Sequence, residues 1–255
     1  MVSMALFSLG AMAQSASTGP NKVYIEQVGS TNTITIEQVG GTNNIGGTTG
    51  TITVALATNL TTLTPAAPSS TNYGTVTGNN NTLAITQHGD NNSTQYNIKG
   101  NNNTYTSTVT GSGNKTTLSV GDANNASNLR NTITETITGD TNIMIQNLVG
   151  NDITSTTVIN GNSNEITKNL LSSNGVSDIN ITGASNVLNI QQTDAAGGNG
   201  HYLKQVIAGD FNSITTQQQG SNDTTVDIKT TGSHNTITVR TSSSAIVSPV
   251  SAIAR

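Results

Sequence analysis

An eleven-residue unit, Gly-x-x-Asn-x-φ-x-φ-x-Gln-x with φ usually apolar, recurs along this chain and constrains its fold more than any other feature. Its fullest copies are Gln27-Val28-Gly29-Ser30-Thr31-Asn32, Gln38-Val39-Gly40-Gly41-Thr42-Asn43 and Gln87-His88-Gly89-Asp90-Asn91-Asn92. A fourth, Gln218-Gln219-Gly220-Ser221-Asn222-Asp223, ends on an acid. Five residues always separate the asparagine from the next glutamine: Asn21 and Gln27, Asn32 and Gln38, Asn81 and Gln87, Asn186 and Gln192, Asn212 and Gln218. Glycine marks the same period at Gly29 and Gly40, then at Gly78, Gly89, Gly100 and Gly111. After a slip near Gly121 it returns at Gly139, Gly150 and Gly161, and later at Gly209 and Gly220. A unit this short is not a domain. It is one rung of a stack, stable only when neighbouring rungs cover it.

Parity within a unit sorts the faces. Asn32, Ile34, Ile36 and Gln38 fall on one side of a strand, and Thr33, Thr35 and Glu37 on the other. Asn81, Leu83, Ile85 and Gln87 repeat the inward set, while Asn131, Ile133, Glu135 and Ile137 place an acid inside. Glycine with Asn or Asp follows each strand and supplies the turn. Two units therefore make one strand-turn-strand coil of about 22 residues. The fold class predicted is all-β: a β-solenoid with amyloid-like parallel, in-register sheets, about ten coils long over residues 21–240. Inward amides stacked about 4.8 Å apart satisfy one another as ladders. The acids of Gly89-Asp90, Gly139-Asp140 and Gly209-Asp210 are expected to stack as like charges and so restrain aggregation.

Residues 45–76, with Gly46-Gly47, Pro65 and Pro68, break the period and read as an irregular insertion carrying one strand at Thr51 to Leu56. Residues 241–255 lose the repeat and read as a tail. At the other end, the apolar run Val2 to Leu9 followed by Ala11-Met12-Ala13 has the form of a truncated secretory signal over residues 1–13.

Composition narrows the function. Charged residues are 9%, aromatics 3% and hydrophobics 32% of 255 residues, with a net charge of -4. Lys and Arg are scattered singly, which argues against a nucleic-acid partner. No run reaches the length of a membrane-spanning helix, so the chain is not expected to be an integral membrane protein. With no cysteine there is neither a disulfide frame nor a thiolate metal site. His88, His201 and His234 are far apart and read as turn residues. Gly161-Asn162-Ser163-Asn164-Glu165 lacks the closing glycine of a nucleophile elbow. The Gly-Asp turns lack the calcium-binding repeat. No catalytic, metal or cofactor residues are predicted, and the chain is expected not to be an enzyme.

The spacing Asn-x5-Gln-x4-Asn-x5-Gln carried by Asn21, Gln27, Asn32, Gln38 and Asn43 resembles the curlin repeat of bacterial curli subunits, with Asn21 at the position of the family's first serine. The resemblance is close over residues 21–43 and 78–92 and partial at 186–192 and 212–223. In the middle the asparagines persist, but Ile98, Val109, Ile137, Leu148 and Ile159 hold the glutamine positions. The resemblance implies secretion through outer-membrane machinery, nucleation by a partner subunit, and self-association into extracellular amyloid fibres on the cell surface that build biofilm matrix and mediate adhesion. The alternative is a monomeric β-solenoid adhesin or ice-binding protein. Thr-x-Thr rows at Thr33/Thr35, Thr104 to Thr110, Thr132/Thr134 and Thr236/Thr238 suggest it, with Glu37, Ala84, Lys115 and Glu165 as interruptions.

Overall fold

A computed structural model describes residues 19–47, 73–121, 129–194, 200–220 and 224–242. The secretory-signal reading of residues 1–13, the strand expected at Thr51 to Leu56 and nearly all of the tail lie outside these residues.

Among the described residues the chain is all-β, and every strand pairing is parallel. Seven-residue strands alternate between two sheets. Sheet A contains β1 (Lys22–Val28), β3 (Asn44–Gly46), β4 (Gly74–Thr77), β6 (Ser93–Lys99), β8 (Lys115–Val120), β10 (Ile143–Val149), β12 (Glu165–Leu171), β14 (Val187–Asp194), β16 (Ser213–Gly220) and β18 (Thr236–Ser242). Sheet B contains β2 (Thr33–Val39), β5 (Thr82–His88), β7 (Thr104–Thr110), β9 (Thr132–Thr138), β11 (Thr154–Asn160), β13 (Val176–Thr182), β15 (Tyr202–Ala208) and β17 (Thr225–Thr231). The result is a β-solenoid of eight complete coils closed by one extra strand, β18, fewer than the ten expected. The difference arises because residues outside the rungs consume chain length: the asparagine column from Asn21 to Asn235 advances by 22 residues at four of its eight steps and by 49, 28, 26 and 23 at the others.

The longest step has a specific origin. β3 and β4 lie end to end against β1, with Gly46 beside Tyr24 and Gly74 beside Ile25. Two consecutive residues of β1 thus pair with the two borders of an insertion at 47–73. The boundary read from sequence, 45–76, was too wide: Ile45 and Val76 occupy inward positions and are fully buried. Loss of the glycine-asparagine spacing hid them. Gly74 also has no room for a side chain, since a Cβ would come within 2.5 Å of the Tyr96 ring. Because the insertion interrupts a rung without shifting its register, deleting 47–73 and joining Gly46 to Gly74 is expected to preserve the fold. The melting temperature should stay within about 4 °C of the parent. Loss of the cooperative β-sheet transition in circular dichroism would contradict this.

Turns repeat as strictly as strands. All eleven turn glycines named above have φ between +105° and +147°. Two residues later the chain enters the left-handed region even at Thr31, Thr42 and Thr141, each at φ 57°. A β-branched residue adopts that conformation only under external constraint, and stacked copies of the same turn provide it.

Candidate functional site: the amide ladders and the ends of the stack

The asparagines form two columns at opposite corners of the coil. The first contains Asn21, Asn43, Asn92, Asn114, Asn142, Asn164, Asn186, Asn212 and Asn235. Each Oδ1 accepts the backbone N–H of the next member, at 2.9 Å from Asn114 to Asn142 and 3.0 Å from Asn142 to Asn164. From Asn21 to Asn212 each Nδ2 donates to the carbonyl of a turn glycine in the following coil, as Asn142 does to Gly161 at 2.7 Å. That explains the Gly-x-x-Asn spacing. The glycine carbonyl points back at the preceding coil, receives its asparagine, and leaves no space for a side chain between the layers.

The second column starts with Asn32, Asn81, Asn103 and Asn131 and then loses asparagine. Ile153 donates its N–H to Asn131 at 2.8 Å and offers no amide in return. Further along, His201 takes the same role. Its Nε2 lies 3.0 Å from the Thr193 carbonyl oxygen, and its Nδ1 accepts from the Thr224 N–H at 3.3 Å and lies 2.9 Å from the Thr224 hydroxyl oxygen. An imidazole replaces an asparagine oxygen. The sequence gives no hint of this, because irregular spacing removes His201 from the eleven-residue count. His88 instead sits 3.2 Å from Glu37, and His234 stacks on Phe211 with ring centroids 5.2 Å apart.

The glutamines behave differently. Gln38 donates to Gln87 at 3.0 Å, and Gln87 donates to the Thr94 hydroxyl at 2.9 Å. Gln192 and Gln218 are register partners but donate to the Val176 and Tyr202 carbonyls, where the opposite sheet begins. Gln27, at the N-terminal rung, pairs in register with Val76, and its buried Oε1 has no hydrogen-bond partner. A continuous glutamine ladder, as the sequence suggested, therefore does not form. Glutamine is long enough to reach backbone across the interior, whereas asparagine reaches only its own column.

The turn acids do not stack on one another. Asp90, Asp140 and Asp210 share a column in which Ser112, Asn162 and Ala184 intervene. Their carboxylates accept backbone N–H groups from the preceding coil, Gly41 at 2.7 Å, Ser112 at 2.7 Å and Ala184 at 2.6 Å. The expected like-charge contact within the chain is absent because the coil contains two units, so acids that look periodic in sequence lie two or more rungs apart.

One titratable cluster is buried in the middle coils, where the central inward position of both sheets turns polar. The Glu135 carboxylate accepts from Tyr105 Oη at 2.8 Å and from Gln146 Nε2. Ser155 donates to Gln146 Oε1 at 2.9 Å. Lys168 Nζ donates to Ser155 at 3.1 Å and also to the Thr157 hydroxyl. Burial raises the Glu135 carboxyl above its ordinary value, opposed by hydrogen bonds and by Lys168. Burial also lowers the Lys168 ammonium to about 7. Among the described residues no group of three or more His, Cys, Asp or Glu is arranged to hold a metal, and no helix is long and apolar enough to cross a membrane.

No protein-family model, no curated protein and no solved structure matches this chain. Fold and ladders together define the class as a repeat protein built as a two-sheet parallel β-solenoid.

Proposed function

We propose that the chain is a non-catalytic structural subunit of extracellular, curli-like fibres, secreted through outer-membrane machinery, started by a nucleating partner subunit, and used in biofilm matrix and surface adhesion. The observation that carries this reading is the state of the stack's ends. At the N-terminal rung Val23 is 40% exposed, and Ile25, Ile34 and Ile36 are only partly buried, whereas the same columns inside the stack are closed. At the other end the first asparagine column stops at Asn235. Edge strands with free N–H and C=O groups template further strands. Purified chain should form fibres in the electron microscope that diffract near 4.8 Å along the axis and near 10 Å between sheets.

A second reading, a monomeric adhesin or ice-binding solenoid, draws on one feature of the topology. Thr104, Thr106, Thr108 and Thr110 lie in register with Thr132, Thr134, Thr136 and Thr138 on the outer face of sheet B. Lys115 and Glu165, which interrupt the threonine rows in sequence, belong to sheet A. Chains that remain monomeric for days would favour this reading over fibres.

A further inference from the structure

Two outward columns are neutral along their whole length and charged only at their ends. Between Glu26 on β1 and Arg240 on β18, the sheet A column carries only Thr, Ser, Asn and Gln. Between Glu37 on β2 and Lys229 on β17, the sheet B column carries only Thr, Val and Asn. Both columns are acidic at the N-terminal end and basic at the C-terminal end. Glu26 and Arg240 are exposed and have no ion-pair partner among the described residues.

We propose that these ends are complementary docking surfaces for a second copy of this chain, β1 of one copy adding in register to β18 of another so that Glu26 meets Arg240. The proposal rests on the self-assembly reading and adds to it the partner surface, the polarity and the register. In that register Val23 lands on Ile237 and Ile25 on Val239, which covers the exposed apolar positions of the first rung. The first asparagine column runs on without a break, Asn235 Oδ1 facing the incoming Asn21 N–H as Asn212 Oδ1 faces Asn235 at 2.9 Å. Lys22 meets Thr236, so no like charges are brought together. A slip of two residues puts Glu26 on Thr238 and loses the pair.

Among the described residues sheet A extends one rung beyond sheet B, so Lys229 and the incoming Glu37 are two rungs, about 9.6 Å, apart. They act as a long-range attraction, with Glu37 also held by His88 at 3.2 Å. Head-to-head association would bring two acidic ends, each carrying Glu26 and Glu37, together and is disfavoured. A head-to-tail contact of this kind does not close on itself and generates a filament. An exposed pair adds little affinity on its own but governs which encounters are productive.

The test is seeded elongation, each protein growing on its own seeds, for the parent, Glu26→Arg, Arg240→Glu and the double exchange. Each single reversal should slow elongation about tenfold at low salt, and the double exchange should recover to within about twofold. The gap should shrink at high salt. Parent fibres with no recovery in the double exchange overturn the pairing and leave assembly standing. A parent that forms no fibres overturns both. Register is read separately, because the chain has no cysteine. Copies carrying Glu26→Cys mixed with copies carrying Arg240→Cys should form intermolecular disulfides, since a Cα spacing of about 4.8 Å suits the bond. Equal cross-linking to Thr238→Cys copies would overturn the register.

Discussion

Gly161→Ala should destabilise the monomer by more than about 4 kcal/mol, whereas Gly232→Ala, in the same turn column, should cost only about 1–2 kcal/mol. Both glycines have positive φ, +145° and +101°, so the backbone penalty alone does not separate them. Stacking does. A Cβ on Gly161 would lie 1.9 Å from the Gly183 carbonyl oxygen, and the obstructing atom is backbone of the next coil rather than a side chain that turns away. A Cβ on Gly232 meets nothing closer than 3.9 Å, because no described coil follows it. The same carbonyl accepts the Asn164 amide at 2.8 Å, so prising the layers apart also breaks the ladder. Stability in a stacked repeat is largely a sum of interfaces between neighbours. Urea unfolding of the two variants side by side measures the difference, and equal losses would refute the account.

Stability should also rise with pH between about 7 and 10 through Lys168. In the folded chain burial lowers its ammonium to about 7, while the unfolded chain keeps the proton up to the ordinary lysine range. Within that window the unfolded state binds more protons. The contribution is therefore present above the unfolded value and lost as pH falls through 7, with a slope of up to about 1.4 kcal/mol per pH unit. Near pH 10 the trend should reverse. Burial raises Tyr96 and Tyr105, so the unfolded chain ionises them first. Thermal melts from pH 6.5 to 9.5 on the parent and on Lys168→Met test this. The variant should lose the slope, and an unchanged slope would show that Lys168 is not its source. At neutral pH the double variant Glu135→Leu, Lys168→Met should match or exceed the parent, because apolar packing often replaces buried charge without loss, while Glu135→Leu alone leaves Gln146 Nε2 and Tyr105 Oη without their acceptor.

The period, the alternation of faces and the roles of glycine and asparagine were legible in the sequence because each is local. Alternation follows from strand geometry, and Gly-x-x-Asn is a complete turn whose partner is another copy of itself. Those local features suffice to specify a parallel solenoid of two-unit coils. The tertiary structure alone decided which copies become neighbours. Insertions shift the chain by amounts that no period encodes, and units alternate between sheets, so side chains that look equivalent in sequence part company. Lys115 and Glu165 fall on the sheet opposite the threonine rows. Glu135 and Lys168, on strands of different sheets, come to share one hydrogen-bonded network. The strands bordering residues 47–73, β3 and β4, complete one rung against β1, His201 takes an asparagine's place, and Glu26 and Arg240 occupy the two ends of one neutral column. Each of these depends on cross-coil register, which is fixed by the sum of all preceding insertions and hence by the whole fold rather than by any eleven-residue window.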